Sequence, residues 1–188
     1  MTFNPDIHDR KSIRLKKYDY AKEGSYFITI CTQNRENVFG EIADAKNILN
    51  RAGDIIAKWY LELENKYPTM KCGEYIIMPN HFHCIINKFD TCRGRPVCLP
   101  YTDLRESQGR HTGLPLHRIV QWFKTMTTNE YIKMVNQYRL PSFDRRLWQR
   151  NYYEHIIRDE KEYNMIAEYI SNNPLLWEND LYNNTNQK

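Results

Sequence analysis

Cys72-Gly73-Glu74-Tyr75-Ile76-Ile77-Met78-Pro79-Asn80-His81-Phe82-His83-Cys84-Ile85-Ile86 is the stretch that decides the fold. Both halves are rich in β-branched and aromatic residues, which suit extended backbone. Between them, Pro79 presets φ for the first central position of a tight turn and Asn80 tolerates the second. The pattern predicts a hairpin whose return strand begins at His81. In a strand, residues two apart share a face, so His81 and His83 project together while Phe82 enters the opposite, core side.

Working outward, Tyr26 to Thr32 reads as another strand by composition. From Ala45 to Lys66 the apolar residues Ile48, Leu49, Ala52, Ile55, Ile56, Trp59, Tyr60 and Leu63 recur at helical spacing, with Gly53 a local weakness. Leu116 to Tyr138 repeats that pattern through Ile119, Val120, Phe123, Met126, Tyr131 and Val135. Leu147 to Ile157 reads as a fourth strand. Asp159, followed three residues later by Glu162, opens a last helix that stops at Asn172-Asn173-Pro174. The order is that of an α+β fold: a ferredoxin-like, split βαβ antiparallel sheet with an additional C-terminal helix. Residues 1–22 read as a basic N-terminal arm, 23–177 as the folded domain, 89–115 as a long Gly- and Pro-rich loop and 178–188 as a polar tail.

At 188 residues the chain is one domain long enough to bury a core. No apolar run approaches the roughly 18 residues of a membrane span, and the start lacks a secretory layout. A soluble, cytoplasmic protein is expected. Cys31, Cys72, Cys84, Cys92 and Cys98 are odd in number and form no Cys-x-x-Cys pair, so reduced thiols are expected. The net charge of +4 is mild, but five of the eight residues from Arg10 to Lys17 are Lys or Arg. Arg145, Arg146, Arg150 and Arg158 alternate with Phe143, Trp148, Tyr152 and Tyr153. Basic side chains neutralise phosphates and flat aromatics stack on unpaired bases, which makes single-stranded nucleic acid a sensible partner. Solvated surface charge and core aromatics are the plain alternative.

His81 and His83 carry the strongest chemical signal, since two imidazoles on one strand face can share a metal ion. The last helix offers more. Tyr169 and Asn173 are four apart and lie on one helical face. The phenol can act as a nucleophile, and the carboxamide oxygen suits a hard cation such as Mg²⁺ or Mn²⁺. His155 is a weaker candidate, as a further ligand or a phosphate contact. Lys124 could touch phosphate or lie along the surface. There is no Gly-rich phosphate loop, no serine elbow and no paired-carboxylate spacing.

Pro79-Asn80-His81-Phe82-His83 resembles the HUH motif (His, bulky hydrophobe, His) of single-tyrosine transposases. Trp148 to Glu160, followed by Glu168-Tyr169-Ile170-Ser171-Asn172-Asn173-Pro174, resembles the REP-associated tyrosine transposases, and the likeness spans about Ile13 to Trp177. It implies a metal-dependent endonuclease and strand transferase acting on single-stranded DNA at hairpin repeats, with no nucleotide cofactor, working as a monomer. His81 and His83 would hold the cation, Tyr169 would be the nucleophile and Asn173 would complete the site. Asn173 is one methylene shorter than the glutamine of the wider family. Arg14, Lys16, Lys17, Lys124, Arg145, Arg146, Trp148, Arg150, Tyr152, His155 and Arg158 are the expected DNA contacts. Two other classes remain open: a non-catalytic binder of structured DNA or RNA, and a zinc module using the histidines with Cys92 and Cys98, whose spacing is poor for a tetrahedral site.

Overall fold

The computed structural model describes residues 19–20, 22–89 and 114–183. The arm residues Arg14, Lys16 and Lys17, the loop cysteines Cys92 and Cys98, and most of the 89–115 loop lie outside the described residues. Strands β1 (Gly24–Cys31), β4 (Met70–Met78), β5 (His81–Lys88) and β6 (Tyr153–Ile157) form one antiparallel sheet in the order β4-β5-β1-β6. Helix α1 (Arg51–Lys66) links β1 to β4, α2 (Leu116–Tyr138) links β5 to β6, and α3 (Glu160–Asn172) follows the last strand. This is the expected ferredoxin-like arrangement with its added helix.

The sheet sorts its side chains by alternation. Tyr26, Ile28 and Ile30 of β1 and Phe82, Cys84 and Ile86 of β5 join one large core with α1 and α2. Phe82 stacks on Phe123 of α2 at 5.3 Å between ring centres and meets Tyr60 of α1 edge-on at the same distance. The opposite face carries Phe27 and Ile85, on which α3 packs through Ile170, Tyr163, Ile166 and Ala167. Strand register puts Thr29 beside His83 and Cys31 beside His81, so both histidines stand on the α3 face.

Three expectations need correction. The helix expected from Ala45 begins at Arg51. Residues 40–49 form a separate hairpin instead, β2 (Gly40–Ala43) and β3 (Lys46–Leu49), and Ile48 and Leu49 belong to its second strand. Asn50 stops the strand and starts α1, its side chain accepting from the Ala52 and Gly53 amides at 2.8 and 3.1 Å. Gly53 is needed there, because a Cβ would stand 2.6 Å from the Phe39 carbonyl oxygen. The expected strand from Leu147 is regular only from Tyr153, with Trp148 making one isolated bridge to Thr32. The segment read as a polar tail is folded at its start. A 3-10 helix, Asn173–Asn179, leads into a turn whose residues pack over the histidines. Among the described residues, no helix is long and apolar enough to cross a membrane.

Candidate active site

His81 and His83 are 0% and 1% exposed, with ring centres 4.5 Å apart. Each ring has one nitrogen tied back to the protein. His81 Nδ1 lies 2.8 Å from Asn80 Oδ1, and Asn80 Nδ2 is committed as a donor to the carbonyls of Arg35 and Tyr182. Asn80 Oδ1 is therefore the acceptor, His81 Nδ1 carries the proton and Nε2 keeps its lone pair. His83 Nδ1 lies 2.7 Å from the Thr29 hydroxyl, on the paired strand. Such second contacts orient a ligating imidazole and select its tautomer. Burial drives both rings toward the neutral form: His83 is pushed down to about 3 and His81 well below the usual histidine range, the second helped by its neighbour His83.

Helix α3 supplies the other groups. Asp159 caps it by accepting from the Glu162 amide at 2.8 Å, while the Glu162 carboxylate accepts from the Arg158 amide at 2.7 Å. His155 Nε2 lies 2.7 Å from the same carboxylate, so this histidine pins the helix start to β6 and stands apart from the His81–His83 pair. About two turns after Glu162, the Tyr169 hydroxyl lies 3.5 Å from His83 Nε2. Its ring sits edge-on to Phe27 and His83, at 6.1 and 5.4 Å between centres. Burial raises the Tyr169 pKa, the Asp180 carboxylate adds to that, and the Asn173 side chain works against it. Asn173 begins the 3-10 segment and is 1% exposed.

Two buried polar atoms here have no hydrogen-bond partner: His81 Nε2 and Asn173 Oδ1. An orphaned buried acceptor is costly, and both are lone-pair donors of the kind a divalent cation takes. The residues present thus fit a cation. Among the described residues, no three His, Cys, Asp and Glu side chains form a metal-holding group, so the set depends on the Asn173 carboxamide.

The chain is 42% identical over 181 residues to an uncharacterized protein of Haemophilus influenzae, across 95% of each. The two belong to one family. A second Haemophilus influenzae protein, whose name assigns it to the REP-associated tyrosine transposases, is 26% identical over 160 residues, covering 84% of this chain and 73% of its own. A solved REP-associated tyrosine transposase, bound to a REP hairpin, has the same fold, with a TM-score of 0.52, 19% identity, and coverage of 87% of this chain and 73% of its own. The chain is thus similar in sequence to one protein that carries this name and in fold to one solved protein that does. No family profile matches it.

The expected DNA contacts divide. Trp148 is not available to a base. It is 4% exposed, donates from Nε1 to Thr127 Oγ1 at 2.9 Å and packs on Phe39 and Phe123. Lys124 is also occupied: its ammonium donates to the carbonyls of Gln149, Arg150 and Asn151 at 3.0, 3.4 and 3.2 Å, and burial lowers its pKa to about 8. It holds residues 149–151 in place, with Tyr152 half-buried beneath its charge. Arg145, Arg146, Arg150 and Arg158 are exposed. The first three rim an open groove of about 600 Å³ between α2 and residues 143–152, floored by Val120, Ile132 and Phe143.

Sequence reasoning missed Thr29, Asn80, Asp180 and Tyr182. Asn80 carries a visible signal, its place directly before His81. The Tyr182 ring lies 4.7 Å from that of His81 and 6.0 Å from that of His83. Its pKa is pushed up to about 12, chiefly by burial.

Proposed function

We propose that this protein is a metal-dependent single-stranded DNA endonuclease and strand transferase that cleaves at or near hairpin repeats through a 5′-phosphotyrosine intermediate. The reading is carried by one observation: the Tyr169 hydroxyl stands 3.5 Å from His83 Nε2, beside the two orphaned acceptors His81 Nε2 and Asn173 Oδ1. His81 Nε2, His83 Nε2 and Asn173 Oδ1 would hold Mg²⁺ or Mn²⁺. Such an ion polarises a scissile phosphate and offsets the charge that builds during attack.

The chain's own residues do the remainder. Tyr169 Oη attacks phosphorus, the phenolic proton leaves as the new P–O bond forms, and the DNA 3′-oxygen departs and takes up a proton. The product is a phosphodiester between Tyr169 and the 5′ end. Because one ester has replaced another, an incoming 3′-OH can reverse the step without ATP. Burial and Asp180 keep Tyr169 protonated at rest, so the free protein does not hold a phenolate in waiting. A helix-borne nucleophile over rigid strand-borne histidines suits the in-line geometry that phosphoryl attack requires. The hairpin comes from the solved relative, and the exposed Arg145, Arg146, Arg150 and Arg158 supply charge suited to its backbone.

The test is incubation of the full chain with labelled hairpin-bearing single strands and Mn²⁺. A covalent adduct is expected, lost on Tyr169→Phe and on chelation. Hairpin binding that needs no metal and yields no adduct would instead mark a non-catalytic nucleic-acid binder.

A further inference from the structure

Strand β6 lies at one edge of the sheet, and alternation along it separates two neighbouring tyrosines. Tyr152, directly before the strand, packs against the core of α1 and α2 beneath the Lys124 ammonium. Tyr153 turns the other way, onto the face that carries the histidines, and meets Phe27 edge-on at 6.2 Å between ring centres. Phe27 in turn stacks on His83 at 5.3 Å and sits edge-on to Tyr169 at 6.1 Å. In the strand register His83 pairs with Thr29 and Thr29 with Tyr153. One row across three strands therefore runs from the histidine to the sheet edge.

The rings along this row differ in what water can reach. Phe27 is 8% exposed and His83 1%, whereas Tyr153 is 49% exposed and Tyr169 39%. Among the described residues the Tyr153 ring has Phe27 as its aromatic neighbour, so about half of the side chain stays open. The exposed Arg150 and Arg158 bracket it in sequence. A flat open ring between basic side chains is the arrangement that single-stranded nucleic acid takes up, with its phosphates on the cations and its bases on the ring.

We propose that Tyr153 is a stacking platform for an unpaired DNA base that lies within about three nucleotides of the phosphate attacked by Tyr169. The inference rests on the nucleophile reading above and adds to it a contact with a base. Neighbouring strands stand about 4.8 Å apart, so the row places Tyr153 about 10 Å from His83. Stacked nucleotides advance about 3.4 Å along a strand, so that interval holds at most about three of them. A base held at the sheet edge fixes the direction in which the strand crosses the site and keeps the phosphate in register with Tyr169. Every base has a π-face, so the platform grips unpaired DNA without reading its sequence.

The probe is the labelled hairpin-bearing strand that forms the Tyr169 adduct, remade with one abasic sugar at a time along its unpaired flank. Affinity of the full chain is read from fluorescence anisotropy. With the unaltered chain, one abasic position within about three nucleotides of the cleaved linkage should weaken binding about tenfold. Exchanging that base for another should change little. Tyr153→Leu keeps apolar cover over Phe27 and removes the flat ring. It should bind the intact strand about tenfold more weakly and lose nothing further at the sensitive abasic position. Tyr153→Phe should bind as the unaltered chain does, because the stacking surface remains. If the leucine variant folds poorly, Tyr153→Ile, whose branched side chain suits a strand, makes the same comparison. If a folded variant without the ring loses as much as the unaltered chain at every abasic position, the platform is overturned and the nucleophile stands. Failure of the unaltered chain to form an adduct with any strand overturns the nucleophile reading and this inference with it.

Discussion

One strand, β5, presents Phe82, Cys84 and Ile86 to one side of the sheet and His81, His83 and Ile85 to the other. All six are almost fully buried, yet burial does different work on the two sides. Beneath α1 and α2 it removes apolar surface from water and stabilises the fold. Beneath α3 it strips water from two imidazoles and a carboxamide, leaving lone pairs unspent. The first face is built for stability and the second for chemistry, at a distance of one residue along the chain.

Substitutions can break this contrast or sharpen it. The largest loss of stability is expected from Phe82→Ala, which opens a cavity between Tyr60 and Phe123 and should cost about 3–5 kcal/mol in denaturant unfolding. Asn80→Ala comes next. It leaves the Arg35 and Tyr182 carbonyls and His81 Nδ1 without their partner, for about 1–3 kcal/mol, and should weaken Mn²⁺ binding by freeing the His81 tautomer.

Lys88 gives a smaller effect, one that depends on pH. It ends β5 on the apolar side, donates to the Tyr20 carbonyl at 2.7 Å, and burial lowers its pKa to about 8 from 10.5, with Asp19 opposing. Between those values the unfolded chain holds a proton that the native chain has released, so this group's contribution to stability rises with pH across that window. Relative to Lys88→Met, the unaltered protein should gain stability from pH 7 to pH 9.5. A flat difference would mean that Lys88 is not desolvated. Tyr169→Phe should shift stability least, by under about 0.5 kcal/mol, because the ring contacts remain, and yet it should remove the DNA adduct entirely.

The contrast also explains what the sequence disclosed. Alternation along His81-Phe82-His83 is local and has a period of two, so the split between the faces could be read directly. So could α2, whose stripe of apolar residues runs unbroken to Tyr138. The β2–β3 hairpin could not. Its turn residues Asp44 and Ala45 adopt φ of +49° and +57° without the Asn-Gly pair that usually marks such a turn, and Ile48 and Leu49 happen to continue the α1 spacing backwards. Trp148 sits among arginines in sequence, and only the fold reveals that Thr127 and Phe39 claim it. Asp180 and Tyr182 reach the histidines through a turn closed by Asn80 and Arg35, partners about a hundred or more residues away, and no spacing rule spans such a distance. The grouping of Tyr169 and Asn173 was legible from helical period alone, but the Thr29 and Asn80 contacts that set the imidazoles were not.

Gly73 has a consequence for the nucleophile. A Cβ there would stand 2.9 Å from the Tyr163 hydroxyl and 3.0 Å from Ile85 Cβ, where β4 shifts register. Even a methyl group would act as a wedge under the near end of α3. Tyr163 and Tyr169 are about 9 Å apart along that helix axis at 1.5 Å per residue, so a lift at one would tilt the other like the far end of a lever. A bare backbone at Gly73 thus leaves the room that Tyr163 needs to lie against the sheet, at the end of the helix that also carries the phenol.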